Sequence, residues 1–140
     1  MLKNKKIIIT GGLGFLGFSI FNELKQANKL LIIDNLSTNT HNKKNVEKYD
    51  NCKFIDLDIN SKTIGKTLED YNPDIVIHCA AQTSVINSIK NPSNTNKINI
   101  EGTKNILNGI KKLKNFFFVF ISSGGAIYGN PIYLPVDEKH

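Results

Sequence analysis

Arginine is missing from this chain. All 18 of its strongly basic side chains are lysines, set against 12 carboxylates for a formal charge of +6. Arginine is the side chain that most often reads base edges. The lysines are also scattered: Lys3, Lys5 and Lys6, then Lys25, Lys43 and Lys44, then Lys111, Lys112 and Lys114. They read as a solvated surface, and nucleic acid is excluded as a partner; a mild positive field of this kind favours anionic ligands. Cysteine is scarce, with only Cys52 and Cys79. That excludes a disulfide framework, and both read as small buried apolar residues. No apolar run approaches the ~20 residues of a membrane span. No basic start leads into an export-type apolar segment. The expectation is a cytoplasmic protein without membrane contact. Internal repeats, low-complexity tracts and linkers are absent too. With 40% hydrophobic content over 140 residues, the chain predicts one domain, 1–140, with a real core.

Ile7-Ile8-Ile9-Thr10-Gly11-Gly12-Leu13-Gly14-Phe15-Leu16-Gly17 is the most informative stretch. Apolar β-branched residues run into three glycines spaced three apart. A helical stripe of Leu16, Ile20 and Leu24 follows. A strand, a tight turn and a helix N-terminus in that order hold a dinucleotide pyrophosphate. Gly11 allows the turn, Gly14 lets phosphate approach the backbone, and Gly17 lets the helix pack on the strand. Phe15 and Leu16 belong to the first helical turn, whose free N–H groups face the phosphate charge. About 20 residues on, the apolar run Leu30-Leu31-Ile32-Ile33 ends in Asp34, placed to accept the adenosine ribose hydroxyls. A carboxylate there repels a 2′-phosphate, so NAD is expected rather than NADP.

The G-x-x-G-x-x-G form, as Thr10-Gly11-Gly12-Leu13-Gly14-Phe15-Leu16-Gly17, resembles the extended short-chain dehydrogenase/reductase superfamily. It is most similar to the NAD-dependent epimerases and dehydratases of nucleotide sugars. Asn35-Leu36-Ser37 fits the same branch and adds Asn35 to the cofactor set.

Strands are expected over 6–10, 30–34, 53–57, 75–79 and 116–121. Helices are expected over 15–27 and 62–71, with a long one ending near Leu113 and a short one over 42–48. The strands are continuous apolar runs, as when both faces are covered. This alternation implies an α/β fold of Rossmann type, a doubly wound parallel sheet in the order 3-2-1-4-5. The ligand belongs at the carboxyl ends of strands one and four. In that order Cys52 and Cys79 lie roughly 14 Å apart, at about 4.8 Å per strand, too far for a bridge.

The resemblance implies further site residues. Asp58 with Ile59, after the third strand, implies an adenine pocket, although Asp58, Asn60 or Ser61 could instead cap the next helix. Ala80 and Ala81, in His78-Cys79-Ala80-Ala81-Gln82, let backbone approach the pyrophosphate and the nicotinamide ribose. His78 itself is expected to be buried with a backbone hydrogen bond. Asn99, in Asn99-Ile100-Glu101-Gly102-Thr103, is expected to brace the loop after strand four. In Ser122-Ser123-Gly124-Gly125-Ala126-Ile127-Tyr128-Gly129 the resemblance implies a catalytic hydroxyl on the sugar C4 oxygen, from Ser123 or, second, Ser122. A loop-capping role is the alternative.

The superfamily's Tyr-x-x-x-Lys pair has no helical counterpart here. Tyr49-Asp50-Asn51-Cys52-Lys53 matches the letters but runs into strand three. Strands six and seven and the region for a nucleotide-diphosphate sugar are expected beyond residue 140. The implied function is the NAD-binding portion of a nucleotide-sugar 4-epimerase. Alternatives are a 4,6-dehydratase and a non-catalytic NAD-binding module. The uncharged run 116–121, left at a sheet edge, predicts self-association.

Overall fold

The computed structural model describes residues 2–38 and 42–140. Five parallel strands form one sheet in the order β3-β2-β1-β4-β5, as the alternation predicts. They are β1 (Lys6–Thr10), β2 (Lys29–Asp34), β3 (Cys52–Asp56), β4 (Ile75–His78) and β5 (Phe117–Phe120). The helices are α1 (Phe15–Leu24), α2 (Lys43–Val46), α3 (Ile64–Tyr71), α4 (Val85–Lys90), α5 (Pro92–Asn96), α6 (Thr103–Ile110) and α7 (Gly124–Tyr128). A π-helical turn, Lys97–Gly102, joins α5 to α6.

The period of two along a strand divides the core. Ile7 and Ile9 of β1 join Leu30, Ile32 and Phe21 on the α1 side, while Ile8 joins Leu31, Val76, Leu68 and Ile106 on the α3 and α6 side. Each face of the sheet therefore buries its own apolar cluster, which is the doubly wound arrangement. Gly65 and Gly109 bring α3 and α6 into contact; a Cβ on Gly109 would lie 2.8 Å from the Gly65 Cα.

Both faces are covered at β1 and β4, while β5 lies at the sheet edge, where the uncharged run 116–121 is expected. In β5, Phe117 is 76% and Phe120 55% exposed. Among the described residues β5 pairs only with β4, and α7 buries none of its residues. The expected long helix is present: α5, the π turn and α6 follow one another without a gap from Pro92 to Ile110, with helical backbone at both junctions. Helix α1 stops at Leu24, short of the expected residue 27. Both cysteines are free. No helix among the described residues is long and apolar enough to cross a membrane.

Candidate functional site: a cleft at the carboxyl ends of β1 and β4

The sharp turn after β1 needs glycine twice. Gly11 has φ +63°, and a Cβ on it would sit 2.7 Å from the backbone of Ala80. At Gly17 a Cβ would meet the Gly11 carbonyl oxygen at 2.3 Å and the Gly12 Cα at 2.7 Å. These are backbone atoms, so helix and turn touch with no space for a side chain. Gly14 differs: its Cβ would meet only the Gly11 oxygen, at 3.3 Å. Spacing alone did not single out Gly12, yet its Cβ would press into the Ile32 side chain at 2.7 Å.

Gly14 is also the N-cap of α1, in extended conformation, and no side chain caps the helix. The first-turn N–H groups of a helix have no intrahelical acceptor. Phe15 is 92% and Leu16 42% exposed, so what they offer the turn is backbone, not side chain.

Asp34 closes β2 and is 9% exposed. Its Oδ2 accepts from the Leu13 N–H at 3.0 Å and its Oδ1 from the Leu36 N–H at 3.0 Å. The carboxylate thus ties the glycine turn to β2, and each oxygen keeps a further lone pair. Beyond β3, the Asn35 amide donates to Asp58 Oδ2 at 2.8 Å and the Asn60 N–H to Oδ1 at 2.7 Å. Burial raises the Asp58 pKa, but these donors, with the Lys97 charge, outweigh it and hold the carboxyl below its usual range. Asp58 does not cap α3: the N-cap is Thr63, which makes no side-chain cap bond. Ile59 is buried against Gly102.

Beyond β4, Asn99 lies on the π turn and binds the Gln82 backbone twice, accepting from its N–H at 2.8 Å and donating to its carbonyl at 3.0 Å. The brace expected from the sequence is present as geometry. Gln82, which the sequence did not mark, fastens the loop further. Its side chain donates to Ser84 O at 3.1 Å and Thr95 Oγ1 at 3.0 Å. His78 is 2% exposed, and burial brings its pKa down to about 4, so the ring is neutral. Its partners are not backbone, as expected, but the Thr10 and Thr103 hydroxyls, at 2.6 and 3.0 Å.

These segments enclose a cleft of about 250 Å³. Gly11, Gly14, Asp34, Asn35, Asp58, Ile59, Ala80 and Ala81 all line it, with Ile33, Leu57 and Ile98 as apolar wall. Gly17 and Asn99 stand behind the lining. Ser123 is outside it: its Oγ accepts from the Ala126 N–H at 3.3 Å and caps α7. Ser122 is exposed. The short helix needs an acceptor for its first N–H groups, which is why the serine takes this position. The uncapped start of α1, the Asp34 and Asp58 carboxylates and apolar walls thus meet in one cleft at the carboxyl ends of the strands.

Residues 7–140 match the NAD dependent epimerase/dehydratase family. A Methanocaldococcus jannaschii protein, provisionally named UDP-glucose 4-epimerase, is 43% identical over 135 residues, which are 96% of this chain and 43% of that protein. A similar fold is found in UDP-N-acetylglucosamine 4-epimerase from Methanobrevibacter ruminantium M1, in complex with UDP-N-acetylmuramic acid. It gives a TM-score of 0.85 at 35% identity over 98% of this chain and 43% of that one. UDP-glucose 4-epimerase from Brucella ovis, in complex with NAD, gives 0.82 at 30% identity over 96% of this chain and 40% of that one. This chain therefore spans about two-fifths of the length of the relatives it matches. With the glycine turn, the acid at the end of β2 and the 3-2-1-4-5 parallel sheet all in place, the chain belongs to the NAD dependent epimerase/dehydratase family.

Proposed function

We propose that these 140 residues form the NAD-binding part of a cytoplasmic nucleotide-sugar 4-epimerase. The observation that carries this reading is the single cleft in which the open face of Gly14, the uncapped start of α1 and the Asp34 carboxylate meet. The first-turn amides from Phe15 to Gly17 would hold the pyrophosphate. Asp34 would accept both adenosine ribose hydroxyls and repel a 2′-phosphate, giving NAD over NADP. Asp58, oriented by Asn35, would accept the exocyclic amine of adenine between the Ile33 and Ile98 walls. Ala80 and Ala81 leave space for the nicotinamide side. When bound, NAD supplies a reversible hydride acceptor for the sugar carbon.

Ser123 fits a role at the sugar C4 oxygen. Its cap bond to Ala126 uses a lone pair of Oγ, so the hydroxyl proton stays free to donate. No residue of the described cleft is placed as the base for the C4 hydroxyl. Without general-base assistance, a loss on the order of 10²–10⁴-fold, this chain alone is expected to give no sugar turnover. The names of its relatives support a 4-epimerase over a dehydratase, as does the absence of an Asp-Glu pair between Ser123 and Tyr128. The test is an NMR titration of the ¹⁵N-labelled chain with NAD. Shifts confined to Gly14–Gly17, Asp34, Asp58 and Ala80 amides are expected. No shifts, or shifts only elsewhere, would contradict the reading.

A further inference from the structure

His78 is a buried titratable group that the cofactor chemistry does not use. Its two ring nitrogens have definite partners, and the protons can be counted. The Thr103 hydroxyl donates its one proton to the Asn99 carbonyl at 2.7 Å. Toward His78 Nε2, at 3.0 Å, it can only accept. Nε2 therefore carries the imidazole proton, and Nδ1 of the neutral ring is an acceptor. The proton on that 2.6 Å contact must come from Thr10 Oγ1. Thr10 Oγ1 in turn accepts from the Ala80 N–H at 3.4 Å. All donors point one way, from the Ala80 amide through Thr10, His78 and Thr103 to Asn99, whose side chain holds Gln82.

We infer that His78 is a positioning residue. Locked as the Nε2–H tautomer, it joins the end of β1 to the π turn and so sets the Ala80–Gln82 wall of the dinucleotide cleft. This rests on the proposed NAD site, but the hydrogen-bond chain itself does not need a ligand. The ring is surrounded by neutral groups. Besides the two threonines, Phe118 and Phe120 of β5 stack on it at centroid distances of 6.1 and 5.9 Å. Burial is the only cause that lowers its pKa. Protonation at Nδ1 would put two donors face to face unless Thr10 rotated its proton away from the ring.

The test uses the ligand-free chain first. ¹⁵N imidazole shifts should report His78 as the Nε2–H tautomer, unchanged between pH 5 and 8. The Nδ1–H tautomer, or a titration near pH 6.5, would overturn the inference. NAD binding is then measured in Thr10→Val and Thr103→Val, with Thr10→Ser and Thr103→Ser as conservative rescues. The valines should weaken NAD on the order of tenfold and speed exchange at the Ala80 and Gln82 amides, while the serines stay near wild type. Folded valine variants with wild-type exchange rates, or serine variants as damaged as the valines, would overturn it. If the unmodified chain binds no NAD, the proposed function fails, and the tautomer and the amide exchange still decide the inference about His78.

Discussion

Asn99 holds the backbone of Gln82 by both its polar groups, N–H and carbonyl, at 2.8 and 3.0 Å. One side chain on the π turn thereby fixes the loop that walls the cleft after β4. Asn99→Ala leaves two half-buried backbone groups without these partners. The expected cost is about 1–3 kcal/mol in urea unfolding, with faster exchange at the Gln82 amide. A variant as stable as wild type with unchanged exchange would show that the brace carries no load.

Two glycines of the motif, Gly14 and Gly17, should separate fold from binding. Gly17→Ala forces a Cβ against backbone atoms at 2.3 and 2.7 Å, and overpacking of this kind costs about 1–3 kcal/mol or more. Gly14→Ala has a compatible φ of −67° and a nearest contact of 3.3 Å. It should unfold like wild type but bind NAD on the order of tenfold more weakly, because the new methyl faces the cleft. Calorimetry beside denaturant melts reads both quantities. Equal behaviour of the two variants would contradict the geometry.

Stability should fall on acidification through His78. Burial lowers its pKa from an ordinary 6.5 to about 4. Between those values the unfolded chain binds the proton and the folded chain does not, so stability is fully present above about pH 6.5 and is lost as pH drops through 4. The shift amounts to about 3 kcal/mol. Urea unfolding at pH 7, 5.5 and 4 checks it against His78→Gln, which should have a flatter profile over this window. Identical slopes in the two proteins would mean that His78 is not the group responsible.

The outer edge of β5 should make copies of this chain associate. Phe117 and Val119 are 76% and 41% exposed, and residues 116–121 carry no charge, proline or glycine. Edges of this kind pair with other strands. Sedimentation velocity at rising concentration should show growing association, reduced in Val119→Lys. A monomer at every concentration, with β5 amides strongly protected, would contradict this.

The glycine turn, Asp34 and the sheet order were legible in the sequence because their signals are local: a motif of seven residues, an acid ending an apolar run, a period of two against a period of 3.6. The sequence leaves Asp58 open between an adenine acceptor, through the resemblance, and a helix cap; the structure gives α3 another N-cap and engages Asp58 with Asn35 and Asn60. The partners of His78 were not legible. Thr10 and Thr103 lie 68 and 25 residues away, and only the crossing of β1, β4 and α6 brings them to the ring. Gln82 was hidden for the same reason, as Thr95 and Asn99 lie 13 and 17 residues further along the chain, beyond α4. The edge position of β5 was legible, because the fifth strand comes last in the 3-2-1-4-5 order and its run carries no charge. Ser123 shows that hydroxyl placement is set by the helix it caps.

In the proposed NAD site the Asp34 carboxylate at the end of β2 would accept ribose hydroxyls and reject a 2′-phosphate. Isothermal titration calorimetry of the unmodified chain with NAD and with NADP measures this directly. NAD should bind tighter by on the order of tenfold or more, and Asp34→Ala should weaken NAD and narrow the gap. Equal affinity for the two dinucleotides in the unmodified chain would contradict the account.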